Sequence, residues 1–121
     1  MARIMIVDDS PTDVLNLKNI LTKAGHTVVD VSSGEAAIER VKLEKPDCVI
    51  MDVVMPGVNG FQATRTLSKD PATANIPVLV ISSKNQETDR VWALRQGAKD
   101  YIVKPVKESD LLAKIKDAVG G

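Results

Sequence analysis

Four short apolar runs in this 121-residue chain end in side chains capable of acid, metal or phosphate chemistry. RIMIV runs into Asp8 and Asp9, CVIM into Asp52, VLVI into Ser82 and Ser83, and YIV into Lys104. Three carboxylates gathered in one crevice repel one another, and raised pKa values or a bound cation must relieve that repulsion. An all-oxygen set with few protein ligands suits a hard divalent ion that keeps some of its waters, which favours Mg2+ over the larger, more fully caged Ca2+. Singly, each piece has an ordinary reading. Asp-Asp ahead of a helix makes a polar turn, Asp52 a loop residue, Ser82 or Ser83 a helix cap and Lys104 a solvated turn lysine. Independent turns would not place acid, acid, hydroxyl and base at the ends of four separate strands, so the set as a whole is the candidate site.

The elements that must position these groups alternate along the chain. Strands are expected at Arg3–Val7, Thr27–Ser32, Cys48–Met51, Val78–Ser82 and Tyr101–Val103. Several are nearly continuous hydrophobics rather than alternating, as parallel strands covered on both faces require. Between them lie amphipathic stretches. Ser10-Pro11 reads as an N-cap with proline at the first helical position, opening a helix over about 11–24 with Val14, Leu17, Leu21 and Ala24 on one face and Gly25 at its end. Ser33 or Gly34 opens a second helix with Ala37, Ile38 and Val41 inward, and Pro46 stops it. Further helices are expected over about 60–68 (Phe61, Leu67), 86–96 (Val91 and Leu94 buried, Gly97 at the end) and 107–119 (Leu111, Leu112, Ile115 and Val119 buried). The expected architecture is α/β: a doubly wound five-stranded parallel sheet flanked by five helices, flavodoxin-like, with strand order 2-1-3-4-5. In such sheets ligands bind outside the carboxyl ends of the strands, where the candidate residues fall.

Composition narrows the class. One domain, residues 1–121, fits the length, with 44% hydrophobic and 26% charged residues. Sixteen basic and sixteen acidic side chains give a formal charge of zero, which argues against a nucleic-acid binder with a dense basic surface and against an anionic-membrane anchor. The balance is uneven: residues 1–60 carry 6 basic and 9 acidic side chains, and residues 61–121 carry 10 and 7. An early acidic feature and a late basic complement follow. The single cysteine, Cys48, excludes an internal disulfide framework and reads as inert core, and a cytoplasmic setting is expected. No membrane span or signal peptide is expected, because the apolar runs are short and Asp8 and Asp9 interrupt the first. The sole histidine, His26, is expected at the opposite edge of the sheet, away from the acids.

The stretches MARIMIVDDSP, PDCVIMDVVMPGVNGF, IPVLVISSK and GAKDYIVKPV, in this order and spacing, resemble the receiver domains of bacterial two-component response regulators. The likeness spans essentially the whole chain and is strongest to single-domain chemotaxis-type regulators. VVMPGVNGFQATR together with QETDRVWALRQGAKDYIVKPV is similar to the regulators of type IV pili and twitching motility. The resemblance implies that Asp52 accepts a phosphoryl group from a histidine kinase in a Mg2+-dependent reaction. Asp8, Asp9, Asp52 and the backbone carbonyl of Val54 would hold the ion, with Asp9 the direct ligand and Asp8 acting largely through water. Lys104 would pair with the carboxylate and then with the phosphoryl group, Ser82 and Tyr101 would be the switch pair, and Pro105 would follow a cis peptide. The implied readout is the face of the fourth helix, fifth strand and fifth helix, to which a protein target binds; Trp92 there is either flanking core or a partner anchor.

The expected molecule is thus a phosphoacceptor switch rather than an enzyme, with no output domain, a monomer or weak dimer, signalling by protein contact or serving as a phosphate sink. The sequence departs from the family pattern in places. Ser82 stands where threonine is common, Ser83 where a small apolar residue is usual, and Asn59 where aspartate often occurs. Val54 offers no polar side chain to orient water, so slow hydrolysis is expected. A phosphohydrolase with an aspartyl-phosphate intermediate would want its second acid two residues past the first, where Ser10 stands. A flavin or nucleotide carrier would want a glycine-rich loop where DDSPTD stands.

Overall fold

The apolar runs become five parallel strands in a computed structural model that describes residues 1–120. They are β1 (Arg3–Val7), β2 (Thr27–Val31), β3 (Cys48–Asp52), β4 (Val78–Ser82) and β5 (Asp100–Val103). Between and after them come α1 (Pro11–Lys23), α2 (Gly34–Glu44), α3 (Gly60–Lys69), α4 (Glu87–Arg95) and α5 (Glu108–Ala118). The sheet order is β2-β1-β3-β4-β5, all parallel, as the sequence leads one to expect of a flavodoxin-like fold.

Alternation within each run explains why the strands need to be apolar throughout. Met5, Val7, Val49, Met51, Val78 and Val80 face one way, onto Ala37 and Val41 of α2, Ala63 and Leu67 of α3 and Ala93 of α4. Ile4, Ile6, Cys48, Ile50, Leu79, Ile81 and Ile102 face the other way, onto Leu17 and Leu21 of α1 and Leu111 and Ile115 of α5. Two cores therefore share one sheet, and each fully buried Ile or Leu contributes about 2 kcal/mol of burial free energy. Burial pushes the Cys48 thiol up to about 12, which keeps it protonated and unreactive.

The local punctuation acts as its chemistry dictates. The hydroxyls of Ser10 and Ser33 accept hydrogen bonds from the backbone N–H of Asp13 and Ala36, capping α1 and α2, and Gly25 takes φ 93° just past α1. Asn59, the departure noted above, forms a reciprocal box with Gln62, each side chain accepting from the other's N–H at 3.0 Å. Among the described residues no helix is long and apolar enough to cross a membrane.

Several expectations need correcting. Ser32 lies beyond β2, while β3 reaches Asp52 itself. In α4 the inward residue is Ala93, not Val91 and Leu94; Val91 is exposed and Leu94 only half-buried. An alanine lets this nine-residue helix approach β5 closely and leaves its larger apolar residues at the rim. Val119 sits at the C-cap of α5, past the last inward turn, and is exposed; Ala24, the C-cap of α1, is exposed for the same reason. Neither Ser82 nor Ser83 caps α4, which begins after Gln86, whose N–H donates to the Asp89 carboxylate at 3.3 Å.

Candidate phosphoryl-transfer site

Each side chain of the site is delivered by the end of a strand. After β1 the backbone turns at Asp8, whose N–H donates to the Val31 carbonyl at 3.1 Å and whose carboxylate accepts from the Ser10 N–H at 2.9 Å. That Asx turn fixes Asp8, which is buried, and leaves Asp9 exposed beside it. Asp52 closes β3 and is also buried. Oxygens of Asp8, Asp9 and Asp52 all lie within 4.8 Å of one another.

The loop after β3 doubles back immediately. The Gly60 N–H donates to the Val53 carbonyl at 3.0 Å, and a Cβ at position 60 would stand 2.0 Å from the Asp52 carbonyl oxygen, so only glycine lets α3 begin there. Val54 projects its side chain into solvent at the mouth, 68% exposed. On the other side β5 delivers Lys104, whose N–H donates to the Ser82 carbonyl at 2.8 Å; the Lys104–Pro105 peptide is cis.

The ammonium of Lys104 donates to Asp52 Oδ1 at 3.0 Å and to Asp13 Oδ2 at 2.8 Å, and lies 3.5 Å from Asp8 Oδ2. Three carboxylates thus share one ammonium, with the Asp9 carboxylate close by. Burial raises Asp52 above the usual carboxylate range, and the charges of Asp8 and Asp9 add to that, against the opposing hydrogen bond from Lys104. Burial alone would lower Lys104, but its bonds to Asp13 and Asp52 and the nearby negative charges outweigh it and hold the lysine above its ordinary range.

Ser82 and Tyr101 come from the next two strands of the same sheet. Ser82 is buried at the end of β4, and its hydroxyl accepts from the Lys84 N–H at 3.1 Å. Tyr101 is buried on β5 and its hydroxyl donates to the Lys84 carbonyl at 2.8 Å, so both grip the same turn after β4. Trp92 is apart from this group, half-exposed on α4, with Val91 of the same helix and Val103 of β5 also exposed. His26 is at the other edge, where its Nδ1 accepts from the Ala2 N–H at 3.1 Å.

Asp13 was not singled out from the sequence. An acid in the first turn of a helix is amply explained by the helix dipole, and its pairing with Lys104 spans 91 residues. The one available signal was its place in DDSPTD, on a helix that starts at the acidic strand end.

Three hard oxygen donors, close together and carrying more negative charge than the lone ammonium offsets, fit a divalent cation such as Mg2+. The same set, with one carboxylate bonded to a lysine at a sheet edge, suits nucleophilic attack by that carboxylate on an anionic phosphorus.

Known proteins share this sequence pattern and fold. Residues 4–116 match the model of the response regulator receiver domain. Protein PilH of Pseudomonas aeruginosa is 53% identical over 121 residues, which is 100% of both chains. Among solved structures, a putative response regulator from Chloroflexus aurantiacus superposes with a TM-score of 0.95 at 28% identity, covering 99% of this chain and 98% of that one. The receiver domain of a sensor histidine kinase from Pseudomonas aeruginosa PAO1, whose structure has a magnesium ion coordinated in the active site cleft, superposes with a TM-score of 0.91 at 25% identity over 99% and 98% of the two chains. The chain therefore belongs to the response regulator receiver domain family.

Proposed function

We propose that this protein works as a stand-alone response regulator in a pilus-motility or chemotaxis-like pathway, taking a phosphoryl group on Asp52 from the phosphohistidine of a kinase. Receiver domains act as phosphoacceptor switches and bind Mg2+ at their acidic site. The full-length match to PilH supports both the pathway and the single-domain reading. The observation that carries the assignment to Asp52 is its geometry: a buried strand-end carboxylate, 3.0 Å from Lys104 and within 4.8 Å of Asp8 and Asp9.

In this reading an Asp52 oxygen attacks the phosphorus in line. A new O–P bond forms as the P–N bond to the donor imidazole breaks, and the departing nitrogen keeps the electron pair. An anionic nucleophile meeting an anionic phosphoryl group needs its charge offset, and Lys104 supplies part of that from within bonding distance. Asp8, Asp9, Asp52 and the Val54 carbonyl would hold Mg2+, with Asp9 the direct ligand and Asp8 acting largely through water; the bound ion would supply the remaining neutralisation. The donor bond is already reactive, so the residues mainly position and stabilise charge.

Phosphorylation adds roughly 1.5–2 negative charges and three acceptor oxygens to Asp52. These can draw in the Ser82 hydroxyl, releasing its bond to Lys84 and loosening the turn that Tyr101 also holds. One hydrogen bond to a charged group contributes about 1.5–3 kcal/mol, and moving a population from 1:99 to 99:1 takes about 5.5, so Ser82 alone is insufficient. Lys104 and the repacked turn supply the remainder, and the face of α4, β5 and α5, with Trp92 exposed on it, carries the signal to a protein target.

Intact-mass measurement after incubation with Mg2+ and acetyl phosphate tests the assignment. The wild type gains one phosphoryl group, and Asp52→Asn gains none. An adduct retained in Asp52→Asn, sustained turnover of phosphoesters, or a bound flavin in place of an adduct would overturn it.

A further inference from the structure

Asp13 sits in the first turn of α1, outside the three-carboxylate cluster, yet it makes the shortest of the three contacts to the Lys104 ammonium: 2.8 Å, against 3.0 Å for Asp52 and 3.5 Å for Asp8. An ammonium has three donors and no more, so any oxygen newly bonded by Lys104 displaces an existing partner or takes the donor left by the weakest. The partners differ in what release costs. The Asp8 and Asp52 side chains are 1% and 8% exposed, whereas that of Asp13 is 42% exposed. A buried carboxylate left without its cation loses several kcal/mol, but an exposed one exchanges the ammonium for water at little cost. Among the described residues Lys104 is also the only partner of the Asp13 carboxylate, so nothing else holds that side chain in place.

We propose that Asp13 is a second seat for the Lys104 ammonium, occupied while Asp52 is unmodified and vacated when a phosphoryl group arrives. This rests on the reading of Asp52 as the phosphoacceptor and adds a competitor to it. Asp13 holds the lysine in reserve, so the phosphoryl group must win the ammonium from a carboxylate. The phosphorylated state is accordingly less favoured than the three-acid cluster and lysine alone would make it, and Asp13 is a positioning residue that sets how readily the site fills.

Binding of beryllium fluoride, a tetrahedral phosphoryl mimic, measures this without turnover. At saturating Mg2+, calorimetry on the full chain should find Asp13→Asn binding the mimic about three- to tenfold tighter than wild type, the loss of one competing charged hydrogen bond. Asp30→Asn removes another acid from the same end of the sheet, one paired at the surface with Lys18 and not with Lys104, and should change affinity less than twofold. The 13Cε resonance of Lys104 should differ between wild type and Asp13→Asn in the free proteins and coincide in the mimic-bound proteins. Equal or weaker binding by Asp13→Asn, the same gain from Asp30→Asn, or a bound-state resonance that still depends on residue 13 would overturn the inference. Failure of the wild type to bind, or undiminished binding by Asp52→Asn, would instead overturn the phosphoacceptor reading and the inference with it.

Discussion

At the N-terminal ends of the strands, Arg3 pairs with Glu44, Glu44 pairs also with Arg40, and the Arg3 N–H donates to Asp47 at 2.8 Å. At the C-terminal ends, among the described residues, Asp8, Asp13 and Asp52 share the single ammonium of Lys104, with Asp9 beside them. The sheet is the same and both edges are charged, but the first edge is balanced in charge while the second is acid-rich, with Asp8 and Asp52 buried. The consequence shows in the protonation of single groups. The Arg40 hydrogen bond, aided by the charge of Arg3, holds Glu44 below the usual carboxylate range, and burial with like charges holds Asp52 above it. Size of the opening does not decide which edge has chemistry. An open groove of about 680 Å3 lies at the balanced edge, lined by Met1, His26, Asp47, Leu112 and Lys116 among others, without convergent charge. A site here is a deficit of positive charge that the fold sustains.

The largest expected effect comes from removing the one cation. Lys104→Gln leaves Asp8 and Asp52 buried with no ammonium, and urea unfolding without metal should show a loss of roughly 3 kcal/mol. Added Mg2+ should restore part of it by binding only the folded state. Arg3→Gln at the balanced edge, where Glu44 keeps a second cation in Arg40, should leave the unfolding midpoint nearly where it was. Equal losses at the two edges would erase the distinction between them.

That distinction was largely legible in the sequence, for a definable reason. Runs such as IMIV and CVIM admit no solvent face, so they dictate a covered parallel sheet, and a covered parallel sheet delivers the residue after each run to one edge. Asp8, Asp9, Asp52 and Lys104 thus come together from strand order alone. What stayed hidden depends on rotation and reach within elements. Ala93 rather than Leu94 faces inward because α4 has apolar residues on more than one side, and periodicity does not choose among them. Asp13 reaches Lys104 because α1 passes beside β5's end, a contact no local pattern encodes.

A smaller effect, and one of opposite sign at the two edges, should appear in the pH dependence of stability. Asp52 is raised in the folded state, so its ionised form fits the fold less well than its neutral form. That penalty is absent below the ordinary carboxylate range and fully present above the raised value. Asp52→Asn should therefore be more stable than wild type near neutrality, with the gain fading as the pH falls through the carboxylate range. Glu44 is lowered instead, so its ionised form favours the fold above the ordinary carboxylate range. Glu44→Gln should lose stability near neutrality and recover it in acid. Urea midpoints of both variants at neutral and acid pH test the pair, and shifts of the same sign would show that the two edges are electrostatically alike.

The smallest effect concerns water rather than charge. Once Asp52 carries a phosphoryl group, its loss requires a water aligned behind the phosphorus, and two residues past Asp52 stands Val54, exposed and without a polar atom. An asparagine there adds a donor and an acceptor where the water must stand, at no cost in packing, because the valine buries little. Positioning of this kind by an exposed side chain is worth well under the full effect of a rigid catalytic group, so Val54→Asn should shorten the phosphoryl lifetime about threefold, or roughly 0.7 kcal/mol of barrier. Intact-mass decay after removal of the phosphodonor measures it, with urea midpoints confirming unchanged stability. Identical lifetimes would mean that hydrolysis is limited by the acid-rich cluster itself and not by the apolar rim around it.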